Sequence, residues 1–190
     1  VMTRLQQLSP KTRMVGYVPI GLDPAWPDSN LTMAQLKARV EQWISLGVSG
    51  IFLDEFGFDY YVTRARQNEI VGYCHDRGLF VFANSWSTDY VFNPNPITID
   101  WIPGFAPNPE GVPPVINEND YYLYENLFYT TTRDEQNNIS LTCANVWRLD
   151  DAMRYFNEAR IDGKSYYAHY GTKLCSLDSI PSTFDATERM

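Results

Sequence analysis

Residues 48–55 read Val48-Ser49-Gly50-Ile51-Phe52-Leu53-Asp54-Glu55. An apolar run without polar alternation, closed by two acids, is the pattern of a strand buried on both faces. Helical spacing flanks it on either side. Upstream, Leu36, Val40, Trp43, Ile44 and Leu46 predict a helix over 32–46, with Gly47 as its C-terminal cap. Downstream, Ile70, Val71 and Cys74 share one face of a helix predicted over 63–77, ended by Gly78. The same kind of run recurs at 14–19, 79–83, 120–125 and 165–169. Apolar strands separated by helices belong in a parallel sheet covered on both faces. A doubly wound sheet often carries a Gly-rich phosphate loop, but Gly16, Gly47, Gly50 and Gly57 lack the GxGxxG spacing. A β/α barrel needs roughly 30 residues per unit. Strand starts near 14, 48, 79, 120 and 165 fit that rhythm with insertions. The expected fold is therefore a (β/α)8 TIM-type barrel, with residues 1–190 forming one barrel domain or a fragment of one. Too few strands are visible to close it, so it is expected to be incomplete on its N-terminal side. The start at Val1-Met2 runs into an amphipathic stretch over 3–8 without a signal-peptide pattern, and residues 185–190 read as the opening of a helix. Both ends are expected to continue into a longer chain. A Pro-rich loop is predicted at about 94–114, with a short strand over 97–101, and a further helix over 149–159.

Composition narrows the function classes. The 190 residues carry 15 Lys+Arg against 23 Asp+Glu, a net charge of -8, which disfavours a protein that tracks nucleic-acid phosphates. No apolar run approaches the roughly 18 residues of a membrane span. Cys74, Cys143 and Cys175 form no CxxC pair, and only His75 and His169 accompany them. Neither a disulfide framework nor a metal site is expected, and no cofactor is implied. The cysteines are expected to be partly buried free thiols. Asn30-Leu31-Thr32 and Asn138-Ile139-Ser140 fit the N-glycosylation pattern without fixing the compartment. The excess is aromatic, at 15% with 13 Tyr and 5 Trp. Such residues either fill a large core or line a carbohydrate site, where an apolar face and a polar tip are both useful.

In parallel α/β folds, chemistry gathers at the C-terminal ends of strands. Here those ends carry Asp54-Glu55, Asn84-Ser85-Trp86, Tyr124-Glu125 and His169-Tyr170. Acids closing apolar strands are costly to bury for packing alone. Two carboxylates converging on one mouth are what glycoside cleavage requires. The structural alternative has Asp54 capping the following turn and Glu55 paired with Arg64 or Arg66; Glu125 would likewise be a core ion-pair partner. Two adjacent carboxylates repel, so one of Asp54 and Glu55 is expected to hold its proton more tightly. Glu41, Glu69, Asp76, Asp150 and Asp151 fall on helices and read as solvated faces or caps, and His75 reads as a surface residue. Aromatic rings stand beside the acids. Tyr17, Tyr60, Trp86, Tyr124 and Trp147 are the candidates for stacking on sugar rings, with Asn84 and His169 as polar partners. Core packing is the alternative for Tyr122 and Tyr167.

The order Gly16-Tyr17-Val18, Trp43 on a helix, Gly50-Ile51-Phe52-Leu53-Asp54-Glu55, Tyr60-Tyr61, Phe82-Ala83-Asn84 and Tyr124-Glu125 resembles the spherulation-specific (spherulin-type) family and the related endo-α-1,4-polygalactosaminidase-like barrels. The resemblance spans residues 14–125. It implies a TIM-type barrel that cuts α-1,4-linked galactosamine or N-acetylgalactosamine polymers. The family's catalytic acids would fall on Asp54, Glu55 and Glu125, and its strand-end Asn on Asn84. The chain departs from the pattern at Pro19, at Ser85-Trp86-Ser87 in place of a Gly-rich turn, and in the Pro-rich loop. The expected partner is a polysaccharide or oligosaccharide, with no nucleic acid and no membrane. The expected location is extracellular or at a cell surface, virion association included. The competing expectation is a non-catalytic glycan-binding or structural barrel domain of a larger surface or phage-tail protein, held among other segments of that chain or assembly.

Overall fold

The computed structural model describes residue 7 and residues 11–124, 129–143 and 167–170. Five strands form one parallel sheet: β1 (Val15–Pro19), β2 (Gly50–Asp54), β3 (Phe80–Asn84), β4 (Tyr121–Tyr124) and β7 (Tyr167–Tyr170). Helix α1 (Met33–Ser45) joins β1 to β2, and α2 (Arg64–His75) joins β2 to β3. The short α3 (Asp89–Phe92) follows β3. An antiparallel hairpin, β5 (Tyr129–Arg133) and β6 (Ile139–Cys143), stands apart as a second sheet. Among the described residues the strands lie side by side in the order β1-β2-β3-β4-β7, without the reversal that marks a doubly wound sheet.

Helix boundaries follow from capping. Thr32 accepts from the Gln35 N–H at 3.3 Å while Gln35 accepts from the Thr32 N–H at 2.8 Å, a reciprocal box at the start of α1. Thr63 caps α2 through the Arg66 N–H at 3.2 Å. Gly47 and Gly78, at φ 81° and 69°, take the left-handed conformation that ends each helix. Both predicted helices are thus present, each slightly shorter than expected. Leu46 is the exception to the predicted face, 51% exposed because it lies beyond the last turn.

The two helices pack on the same side of the sheet. Leu36 and Val40 of α1 and Ile70, Val71 and Cys74 of α2 share one core with Val18, Ile51, Leu53, Val81, Ala83 and Tyr122. Each large apolar side chain removed from water there contributes about 1.5–3 kcal/mol. Covering of both faces was the expectation, and the described residues do not bear it out. The second face carries a row in register across four strands, Tyr17, Phe52, Phe82 and Tyr121. Their rings pair at 5.9, 5.3 and 6.0 Å, yet Tyr17 stays 52% exposed. The pleat sends alternate residues to opposite faces, so runs that read as uniformly apolar separate into an aliphatic side under helices and an aromatic side.

The Pro-rich segment is a loop, as predicted. The expected strand over 97–101 reduces to a single bridge between Ile97 and Asn108. The β5–β6 hairpin was not anticipated. The predicted helix over 149–159 and the stretch over 3–8 lie outside the described residues, Gln7 apart. Among the described residues no helix is long and apolar enough to cross a membrane.

Candidate active site

The C-terminal ends of β1, β2 and β3 converge on Asp54. Its Oδ2 accepts from the Tyr17 hydroxyl at 2.6 Å. Its Oδ1 accepts from the Asn84 amide and from the Glu55 N–H, each at 2.9 Å. Register explains the meeting. Pro19 pairs with Asp54, Leu53 with Ala83 and Asn84 with Leu123, so Asp54 and Asn84 sit one pleat beyond the aromatic row. Tyr17 reaches up from that row. Its own strand is fixed from behind, where the Trp43 indole lies on Gly16 and donates to the Tyr17 carbonyl at 3.0 Å. A carboxylate held by three donors is locked in one rotamer, and hydrogen bonds to a charged acceptor are the strong kind. The same contact pushes the Tyr17 phenol up to about 12, aided by burial and by the charges of Asp54 and Glu55. Tyr17 therefore remains a donor across the neutral range.

Glu55 leaves the strand differently. Its φ of 55° is left-handed, an uncommon conformation for a residue with a side chain. The turn carries its carboxylate into a neighbouring cleft of about 340 Å³. The walls come from the β1–α1 loop, including Gly21, Asp23 and Asn30, and from the turn carrying Asp59, Tyr60 and Tyr61. A methyl group on Gly21 would collide with the Glu55 carboxylate, so the glycine makes room for it. Burial, then the charges of Asp54 and Asp23, raise the Glu55 carboxyl above the usual range. The expected tightening of one proton thus falls on Glu55, with burial ahead of repulsion as its cause.

Of the structural alternative, one half is present: Asp54 does accept the N–H of the turn that follows it. The other half is not. Arg64 donates to Gln67 and to the Val91 and Asn93 carbonyls. Arg66 donates to the Ile20 and Leu31 carbonyls. Neither forms an ion pair with Glu55. Glu41 and Glu69 lie on solvated faces, as expected, and there pair with Arg77 and Lys37. His75 is not a surface residue. It is half-buried, with Nε2 2.9 Å from the Asp120 carboxylate at the opposite end of the sheet. Cys74 is a free thiol, fully buried.

The remaining predicted residues divide into three groups. Tyr60 and Trp86 join the Asp54 neighbourhood, the Trp86 indole donating to the Tyr60 hydroxyl at 3.1 Å while Trp86 stays 40% exposed. Tyr124 closes β4, and His169 pairs with Leu123, which pairs with Asn84, placing His169 in the strand-end row of the site. Glu125 and Trp147 lie outside the described residues. Tyr122 is core, 3% exposed, with its hydroxyl on the Ser85 carbonyl at 2.8 Å.

Asp59 was missed. It follows Glu55 by four residues, in the helical turn Phe58–Tyr60 rather than at a strand end. Its Oδ1 is buried and unpartnered against Gly57, and burial raises its carboxyl. The signal available was three acids within six residues. Asp23, Asp59 and Glu55 give the cleft a strongly acidic lining with no lysine or arginine among its walls. Among the described residues no three His, Cys, Asp or Glu side chains group to hold a metal ion.

No family model matches the chain, and no curated protein matches it. Among solved structures it is similar to the glycoside hydrolase domain of a PelA variant from Pseudomonas aeruginosa, at 14% identity and a TM-score of 0.47, over 85% of this chain and 68% of that one. It is also similar to a quadruple mutant of the α-N-acetylgalactosaminidase NagBb from Bifidobacterium bifidum, at 16% identity and a TM-score of 0.37, over 83% of this chain and 28% of that one.

Proposed function

We propose that the chain is a glycoside hydrolase built on the wall of a TIM-type barrel, acting on an α-1,4-linked polymer of galactosamine or N-acetylgalactosamine. The observation that carries the reading is the Asp54 carboxylate, fixed by Tyr17, Asn84 and the Glu55 N–H at the C-terminal mouth of a parallel sheet. A carboxylate so oriented can attack or stabilise an anomeric centre as positive charge develops there. Glu125, which follows the last residue of β4 in the sequence, is assigned the acid/base role. Glu55, whose carboxyl holds its proton more tightly than usual, positions the sugar or tunes its neighbour. The acidic cleft supports an amino sugar in particular, since a protonated amine would meet the charges of Asp23, Glu55 and Asp59. The exposed rings of Tyr17 and Trp86 suit stacking on its C–H face. A polymer of this kind goes with an extracellular or cell-surface location.

The test is release of reducing ends from α-1,4-linked galactosamine polymers and from unrelated polysaccharides. Asp54→Asn and Glu125→Gln run beside the unmodified chain, with circular dichroism to confirm folding. Release that both folded variants abolish supports the assignment. Full activity in either variant removes that residue from the chemistry. Glycan binding without release from any polymer replaces a hydrolase with a binding domain.

A further inference from the structure

The wall of the cleft facing Glu55 is a loop between β1 and α1 that is braced far more heavily than a connector needs. Asn30 bonds both sides of the Asp23 peptide, accepting from its N–H at 2.7 Å and donating to its carbonyl at 3.0 Å. The Asp23 carboxylate accepts from the Ala25 N–H at 2.8 Å. The Trp26 carbonyl accepts from the Ser29 hydroxyl at 2.7 Å and from the Ser29 N–H at 3.0 Å. Arg66 closes the loop from beneath, donating from Nε to Ile20 O at 2.8 Å and from Nη2 to Leu31 O at 2.7 Å. A half-buried guanidinium is committed to two backbone carbonyls, and burial lowers its pKa. At the tip of this fixed loop the Trp26 side chain is 71% exposed, more than any other large apolar side chain of the described surface.

A tryptophan would ordinarily lose that exposure to packing. Its backbone is anchored at both N–H and carbonyl, and its ring is left bare. Pro24 lines the cleft, and two residues of chain place the Trp26 Cα within about 7 Å of it. A rigid support holding an amphipathic ring beside a polar cleft is a pre-organised binding element, since little ordering remains to be done when a ligand arrives.

Resting on the hydrolase reading, we propose that Trp26 is the stacking platform of an additional subsite. It takes a sugar of the polymer beyond the one seated at Glu55, and so makes recognition depend on chain length. Asn30 and Arg66 act as positioning residues for it.

The test compares the unmodified chain with Trp26→Ala and Trp26→Phe, on α-1,4-linked galactosamine oligomers of increasing length. Kinetics and calorimetric binding are measured on each, with thermal unfolding as the fold control. Trp26→Ala is expected to raise KM and Kd for long oligomers about 5- to 10-fold, the size of one aromatic contact. It is expected to leave kcat and the disaccharide unchanged, and Trp26→Phe is expected to restore most of the loss. An equal change on short and long oligomers, or none, overturns the platform. Length-dependent binding through Trp26 without hydrolysis leaves the platform standing and removes the catalytic reading. Hydrolysis indifferent to Trp26 does the reverse, and neither binding nor hydrolysis removes both.

Discussion

Asp120 is a buried acid whose removal the fold should feel, and its contacts allow the loss to be sized. It is 1% exposed and accepts from the Val81 N–H at 2.7 Å, from the Asn117 N–H at 2.8 Å and from His75 Nε2 at 2.9 Å. It therefore clasps the start of β3, the segment leading into β4 and the last turn of α2. Asp120→Ala leaves the Val81 N–H without its acceptor inside a buried strand, worth about 1–3 kcal/mol. The half-buried Asn117 N–H and His75 recover part of theirs from water, adding about 1–2 kcal/mol together. The total is about 2–5 kcal/mol, close to what breaking a buried pair costs. For a chain of this length each kcal/mol moves the unfolding midpoint by about 2–4 °C. A drop of about 5–20 °C in a thermal melt followed by circular dichroism is expected. Asp120→Asn keeps an acceptor for Val81 and should lose less. The pH dependence gives an independent readout. The hydrogen bond to Asp120 raises the His75 pKa above 6.5, against the opposing pull of burial and with help from the charges of Asp120 and Asp76. The stabilisation is thus fully present below pH 6.5 and is lost as pH rises through the folded-state value. In Asp120→Asn that part of the slope should disappear. A midpoint unchanged in Asp120→Ala, or the same slope in Asp120→Asn as in the unmodified chain, would refute the clasp.

Three further outcomes bear on the site. Gly21→Ala should push Glu55 off its wall and lower kcat/KM on the polymer about 10- to 100-fold with little change in melting temperature, while unchanged turnover would show that the position of Glu55 is immaterial. Tyr17→Phe removes one of the donors to Asp54 and should lower kcat/KM about 10-fold, with the midpoint within about 2 °C because water reaches the half-exposed position; a large loss of stability would instead make Tyr17 structural. Asp59→Asn should raise the midpoint at pH 7 and leave it unchanged near pH 3. Burial raises the folded-state carboxyl, so the stability tied to its proton is present below about pH 3.8 and lost as pH rises through the folded value; melts that shift equally at both pH values would rule out a buried charge as the cause.

What was legible in the sequence follows physical lines. The five parallel strands and two long helices were readable because a buried strand has no polar alternation and a capped helix announces its ends, as Thr32 and Thr63 do. The β5–β6 hairpin was not, because only one of its strands, Ile139–Cys143, alternates apolar and polar residues, while its partner Tyr129–Arg133 reads Tyr-Thr-Thr-Thr-Arg. Its turn was signalled by Asp134, whose carboxylate accepts from Gln136 and Asn138, and by Asn137 at φ 63°. Arg66 read as a candidate ion-pair partner of Glu55. Its work is with backbone carbonyls, Ile20 and Leu31, and no pattern of side-chain types encodes a bond to a carbonyl. Asp59 escaped because attention to strand ends passes over a turn that folds back beside one.

Asp54 and Glu55 show how far the end of β2 could be read from sequence. Both acids were identifiable from a single fact, their place at the end of an apolar run. That their surroundings differ could not be derived from it. Asp54 is the last residue of the pleat and keeps the face of Phe52 and Tyr17, where the register of three strands delivers Tyr17 and Asn84 to it. Glu55 is the first residue outside the pleat. Its left-handed φ rotates it away from the sheet and into the cleft, against a position that only glycine leaves open. One peptide bond thus separates a carboxylate held by three donors from one that burial makes harder to ionise. Environments so different, around chemically similar neighbours, are what a division of labour between two acids requires.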